Sequence, residues 1–147
     1  DYHHGNGTQE IFYDRDDVLY LSLHGDPARA YPYAIGFADE TGTGRGLGAN
    51  LNIPLPARTG DDAYLSALDT AMQKATSFGA EVMVVSLGLD TFVTDPICDL
   101  SVTTDGFRRC GELVAQAGLP TIVLQEGGYD VPNLGINAQS WLVGLGA

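Results

Sequence analysis

Three short apolar runs constrain this chain more than anything else in it, residues 18–23, 82–87 and 121–124, joined by Leu51-Asn52-Ile53-Pro54-Leu55, which alternates and reads as a short strand limited by Pro54. Each has strand length, and Val82-Met83-Val84-Val85-Ser86-Leu87 is the clearest. Runs that are apolar on both faces predict buried strands of a parallel sheet. Two of the intervals carry amphipathic helix patterns. Leu65, Leu68, Met72 and Ala75 recur at helical spacing up to Gly79, and Phe107, Cys110, Val114 and Ala117 recur up to Gly118 and Pro120. Pro132 opens a last helix with Leu134, Trp141 and Leu145 inward. Strands alternating with helices predict an α/β fold whose parallel sheet is covered on both faces.

Local signals set the remaining boundaries. Thr8 is placed to cap a short helix reaching about Arg15, with Ile11 and Phe12 inward. Thr59-Gly60-Asp61-Asp62 has a capping-box pattern ahead of the second helix. A long glycine-rich loop with Tyr31, Tyr33 and Phe37 follows the first strand and predicts a functional segment. A second loop follows residue 88. There are no internal repeats and no low-complexity linker, so the 147 residues suit one domain.

Charge narrows the partners. Nineteen acidic residues against seven basic ones give a net charge of -12, and no basic patch is present. Nucleic-acid binding is excluded on that ground. An acidic surface favours cationic ligands, although solubility accounts for it equally well. No apolar run approaches membrane-spanning length, so no membrane partner is expected. Cys98 and Cys110 have neither metal-type nor disulfide-framework spacing, which predicts reduced thiols in a cytoplasmic protein.

The residues fit for chemistry follow the strand-like runs. Asp1 and His3 alternate, and in an extended segment both point to one side. A domain rarely begins on a metal ligand, so the chain is expected to be the later part of a larger domain. Asp90, two residues beyond Gly88, can join them as two oxygen donors and one nitrogen, an open zinc site with room for water and a substrate oxygen. Standing alone, Asp90 would equally serve as a loop or cap hydrogen-bond acceptor. Tyr129 follows Gly127-Gly128, whose backbone can turn sharply towards a ligand and present the phenol to a developing oxyanion. Packing on loop neighbours would also account for Tyr129. Ser22-Leu23-His24 is not a nucleophile motif, because Ser22 lies inside an apolar run with no elbow turn. Gly44-Arg45-Gly46-Leu47-Gly48-Ala49 mimics a dinucleotide fingerprint but opens no helix.

Four motifs occur in order: Asp1-Tyr2-His3-His4-Gly5-Asn6-Gly7-Thr8-Gln9, Ser22-Leu23-His24-Gly25-Asp26-Pro27, Ser86-Leu87-Gly88-Leu89-Asp90-Thr91 and Glu126-Gly127-Gly128-Tyr129. Together they resemble the zinc-dependent deacetylases of the arginase/deacetylase fold. That group includes histone deacetylases, bacterial histone-deacetylase-like amidohydrolases and acetylpolyamine amidohydrolases. Tyr31-Pro32-Tyr33, Ala38-Asp39-Glu40-Thr41-Gly42, Phe78-Gly79-Ala80-Glu81 and Gly128-Tyr129-Asp130-Val131-Pro132 look most like the acetylpolyamine branch.

The resemblance implies a three-layer αβα fold with a mainly parallel sheet, of which residues 1–147 would be the C-terminal portion of a single domain, its N-terminal part missing. It implies one zinc ion per active site on Asp1, His3 and Asp90, and Tyr129 as oxyanion donor. Tyr31 would line the substrate tunnel and Ile97 would stand at its rim, with Gly127 and Gly128 also contacting substrate. Asp1, His3, Ser22 and Leu23 would match a structural potassium (K+) site, largely through backbone carbonyls, and Phe12, Arg15 and Val18 a second. The implied substrate is a small cationic acetylated amine or acetyl-lysine. A homodimer of the full-length protein is compatible with the family.

One departure matters. The family's general base is a histidine pair upstream of the zinc motif, and His3-His4 is not that pair, because His3 is taken by the metal. These residues alone are expected to turn over little substrate and to fold marginally, with apolar sheet edge exposed. Three functions stay open at this stage: an acetylpolyamine amidohydrolase, a lysine deacetylase acting on proteins, and a non-catalytic module on a degenerate deacetylase scaffold.

Overall fold

The computed structural model describes residues 1–146. The chain divides into two compact units, Asp1–Tyr2 with Ala57 onwards, and His3–Pro56.

In His3–Pro56, helix α1 (Asn6–Phe12) precedes strands β1 (Tyr20–Gly25) and β2 (Asn50–Leu55), which pair in parallel. Tyr20 stands opposite Asn50 and Ser22 opposite Asn52, so alternation puts Tyr20, Ser22, His24, Asn50 and Asn52 on one face. The expected run that is apolar on both faces is therefore corrected: this face is polar, and only Leu21 and Leu23 of β1 serve the other. Thr8 lies inside α1, whose N-cap is Gly5 with no side-chain cap. Ile11 is 67% exposed rather than inward. The segment between the strands contains a single 3-10 turn at Gly44–Gly46, followed by β2 and not by a helix, so the phosphate-cradling geometry is absent.

In the other unit, α2 (Asp61–Phe78), β3 (Met83–Leu87), α3 (Thr104–Ala115), β4 (Thr121–Gln125) and α4 (Val131–Leu145) follow one another. Strands β3 and β4 pair in parallel, with Val85 opposite Val123. The core joins Leu65, Leu87, Leu89, Phe92, Val102, Phe107, Cys110, Val114 and Trp141, with Leu68, Met72, Leu134 and Leu145 packed against it. The helical periodicities thus sort inward and outward residues correctly. Gly79 ends α2 in the left-handed region (φ 79°), where a Cβ would be strained. Helices α3 and α4 touch backbone to backbone, since a Cβ on Gly111 would sit 2.1 Å from the Trp141 carbonyl oxygen.

Two expectations are corrected here. Thr59 does not cap α2, whose N-cap is Gly60 without a side-chain bond. Instead the Asp61 carboxylate accepts from the Thr103 amide (2.8 Å) and hydroxyl (2.6 Å), tying the start of α2 to the start of α3. Strands β3 and β4 are buried on one face only. Val84 and Ile122, directly opposite each other, are 60% and 54% exposed, because among the described residues of this unit no layer covers that side.

Candidate functional site

The ends of β3 and β4 place the site. The Glu126 amide donates to the Leu87 carbonyl (2.9 Å) and the Leu89 amide to the Gly127 carbonyl (2.8 Å), so the two chains stay paired one step beyond the strands. Asp90 follows directly and is fully buried. The amide of Tyr2 donates to Asp90 Oδ1 (2.7 Å), and the Tyr2 hydroxyl donates to Asp99 Oδ1 (2.9 Å). These bonds anchor the first two residues on the loop after β3. Asp1 is held in turn, its Oδ2 accepting from the Gly127 amide at 2.9 Å.

Two carboxylates consequently converge. A Cβ placed on Gly127 would lie 2.3 Å from Asp90 Oδ2 and 2.6 Å from Asp1 Oδ2. Only glycine permits that approach, and two carboxylate oxygens gathered beside it form a donor set suited to a cation. Such hard oxygen donors suit a divalent metal. Of the three ligands expected from the sequence, the structure brings Asp1 and Asp90 together within one unit. His3 belongs to the other unit, where its ring meets that of Tyr31 edge-on at 6.2 Å. Residues 1–5 lie in no strand, so the extended segment expected for the Asp-x-His pair is not formed.

Tyr129 is 45% exposed beyond the end of β4, and its amide donates to Asp95 Oδ2 (2.9 Å). Ile97 is 61% exposed on the loop after β3, and Tyr31 is 58% exposed in the other unit beside Tyr33. All three are accessible side chains, as a substrate-contacting role requires. Ser22 and Leu23 lie within β1, while Phe12, Arg15 and Val18 run from the end of α1 into the turn before β1. Arg15 sits over the Phe12 ring and pairs with Asp17 at 2.7 Å.

The remaining histidines are structural. His24 is fully buried, its Nδ1 2.8 Å from Ser22 Oγ and its Nε2 2.8 Å from the Gly36 carbonyl. Burial lowers its pKa to about 4, so the ring is neutral near pH 7. His4 Nε2 pairs with Gln9 Oε1 at 2.9 Å, and burial lowers its pKa too. Neither reaches solvent, which removes Ser22-His24 as a nucleophilic pair.

Sequence reasoning missed three features. Gln9, Asn50, Asn52 and Glu40 form a buried network in which Gln9 Oε1 accepts from Asn50 (3.1 Å) and Asn52 (2.8 Å). The i, i+2 spacing of Asn50 and Asn52 on a strand was a usable signal. Asp95, which holds the Tyr129 amide, had none. Cys98 has no metal-type spacing, yet its thiol lies against Asp90; burial first, then the Asp90 charge, pushes its pKa up and keeps it protonated.

The sequence matches the model of the histone deacetylase domain over residues 1–145. The chain belongs to the histone deacetylase domain family. It is 48% identical over its whole length to an acetylpolyamine amidohydrolase of Burkholderia pseudomallei and 46% identical to that of Mycoplana ramosa, spanning 43% and 42% of those proteins. It is 34% identical over 142 residues to histone deacetylase 8 of Xenopus laevis. The crystal structure of the Burkholderia pseudomallei acetylpolyamine aminohydrolase superposes with a TM-score of 0.97, covering all of this chain and 43% of that one. A histone deacetylase homolog complexed with SAHA superposes at 0.87 with 35% identity, covering 99% and 39%. The fold is thus the α/β deacetylase fold, and the chain spans less than half the length of these relatives. Both cysteines are free, and among the described residues no helix is long and apolar enough to cross a membrane.

Proposed function

We propose that this chain is the C-terminal portion of a zinc-dependent amidohydrolase that removes the acetyl group from acetylated amines. The observation that carries this is the convergence of Asp1 and Asp90 on Gly127, in a chain 48% identical over its whole length to an acetylpolyamine amidohydrolase. Asp1, His3 and Asp90 would hold the zinc. When bound, the metal polarises the amide carbonyl and lowers the pKa of the attacking water. Gly127 leaves the space the two carboxylates need. Tyr129 donates its phenolic proton in a hydrogen bond to the oxygen that gains negative charge, a contribution of about 3 kcal/mol. Tyr31 and Ile97, both exposed, line the approach of the acetylated chain.

No histidine here serves as general base: His3 is assigned to the metal, while His4 and His24 are buried and hydrogen-bonded. The base is assigned to the histidine pair that the family carries upstream. These residues alone therefore hydrolyse little, and the bare β3–β4 face makes them fold marginally. Ser22, Leu23, Asp1 and His3, and secondarily Phe12, Arg15 and Val18, are assigned to structural potassium.

Acetylated polyamines are the favoured substrates over acetyl-lysine in proteins, because identity is higher to acetylpolyamine amidohydrolases (48%) than to a histone deacetylase (34%). The charge of -12 agrees with a cationic substrate. Competing hydrolysis of acetylputrescine and an acetyl-lysine peptide by the full-length protein tests the assignment, and faster turnover of the peptide would reverse it. Asp90→Ala is expected to abolish zinc retention, read as metal stoichiometry. Undiminished zinc would remove Asp90 from the ligand set, and a complete gene lacking the upstream histidine pair would favour a non-catalytic scaffold.

A further inference from the structure

The segment that carries Tyr129 has no regular structure of its own. It contains Gly127 and Gly128, the latter at φ +145°, so its backbone must be restrained from outside if the phenol is to stay in place. Two carboxylates supply the restraint. Asp1 Oδ2 accepts from the Gly127 amide and Asp95 Oδ2 from the Tyr129 amide, both at 2.9 Å. Asp95 is 8% exposed, and its second oxygen accepts from the amides of Ile97 (2.9 Å) and Cys98 (3.3 Å). One buried carboxylate thus binds the Tyr129 segment to the loop after β3, which carries Asp90 and Ile97. A second tie runs alongside it, from the Thr94 hydroxyl to the Asp130 carboxylate. Asp130 also caps α4 by accepting from the Asn133 amide.

We propose that Asp95 is the positioning residue for Tyr129, acting through the Tyr129 backbone amide and setting the phenol and the Ile97 rim as one body. This rests on the deacetylase assignment, in which Tyr129 is the oxyanion donor. A carboxylate is suited to the task because both its oxygens only accept, so one can serve each loop. An asparagine offers a single acceptor and must desert one of them. The fixed amide sets the Tyr129 Cα, from which a misplacement of the order of an ångström at the phenol oxygen would follow if the bond were lost.

The test uses the full-length, zinc-loaded protein with Asp95→Asn, Tyr129→Phe and the double variant, assayed on acetylputrescine. Amide hydrogen exchange is read at Tyr129. Asp95→Asn is expected to lower kcat on the order of ten- to a hundredfold with KM and zinc content little changed. It should also accelerate exchange at the Tyr129 amide. On the Tyr129→Phe background the same substitution should cost little further, because the group it positions is gone. An unchanged kcat, an undiminished loss on the Tyr129→Phe background, or unchanged exchange at Tyr129 would each overturn the proposal. A wild-type protein that holds zinc but hydrolyses no acetylated amine would overturn the deacetylase assignment instead, and the exchange measurement would still decide whether Asp95 holds Tyr129. Should Asp95→Asn not fold, Asp95→Glu replaces it, since it keeps the charge and moves the acceptors by one methylene. Wild-type kcat and exchange in that variant would overturn the proposal.

Discussion

In the unit that runs from Ala57 onwards, the largest buried side chains are apolar: Trp141, Phe107, Phe92, Leu65, Leu87, Leu89 and Leu100. In His3–Pro56 the large buried side chains are mostly polar, His4, Gln9, His24, Asn50 and Asn52 beside Leu55, while Ile11, Tyr31, Tyr33 and Leu47 face outward. One unit is closed by contacts that have no preferred direction and tolerate exchange of shape. The other is closed by hydrogen bonds whose members depend on one another, and the loss of one strands its partners. Glu40 shows the dependence. Its carboxylate accepts from Gln9 Nε2 (2.6 Å) and from the Gly36 amide, and its carbonyl accepts from Asn50 (2.7 Å). The difference teaches that the loop of residues 26–48 is fixed by polar contacts beneath it rather than by burying its aromatics.

The largest expected effect lies in the apolar unit. Trp141→Ala should destabilise it by about 3–5 kcal/mol, measured by denaturant unfolding, since the side chain is 3% exposed within the core cluster. A loss below about 1 kcal/mol would show that this core is not what closes the unit.

Acid should act on the polar unit next. The His24 pKa is about 4 in the folded chain, against about 6.5 for an unfolded histidine. Between those values the unfolded chain binds the additional proton, so stability rises with pH across the window. It is complete above pH ~6.5 and falls as pH drops towards 4, by roughly 2–3 kcal/mol. Lowered by burial, His4 acts in the same direction. Stability measured from pH 7 to 4 in the wild type and in His24→Gln checks this, and an identical slope in both would remove His24 as the cause.

The smallest effect is the sharpest comparison, because it uses one new residue in both units. Leu65→Met should cost less than about 1.5 kcal/mol, as a volume-conserving apolar exchange. Gln9→Met conserves volume equally but removes the acceptor shared by Asn50 and Asn52 and the donor to Glu40, at a cost of about 1–3 kcal/mol. Equal costs would mean that the contrast between the units is one of composition and not of mechanism.

The placement of the candidate site was legible because its residues follow strands in sequence. Asp90 and Tyr129 each stand just past an apolar run, where parallel α/β sheets place their ligands, and the structure keeps them there. Asp95 was not legible. Its client amide is 34 residues away, and nothing local distinguishes an aspartate that accepts from a distant backbone group from one that faces water. The polar face of β1 was hidden for a related reason. Ser22 and His24 are outnumbered in an apolar run, and their significance appears only once Asn52 stands opposite Ser22.

Periodicity, glycine stops and motif order were enough to determine the helices, the parallel α/β class and the family, because each is written in neighbours along the chain. The exposed face of β3–β4, the approach of Asp1 and Asp90 over Gly127, and the carboxylate that grips Tyr129 were decided by tertiary structure alone. Burial of a strand face depends on which layers lie above it, and a hydrogen bond depends on distance and direction between groups remote in sequence. Neither quantity is a property of any local stretch of residues.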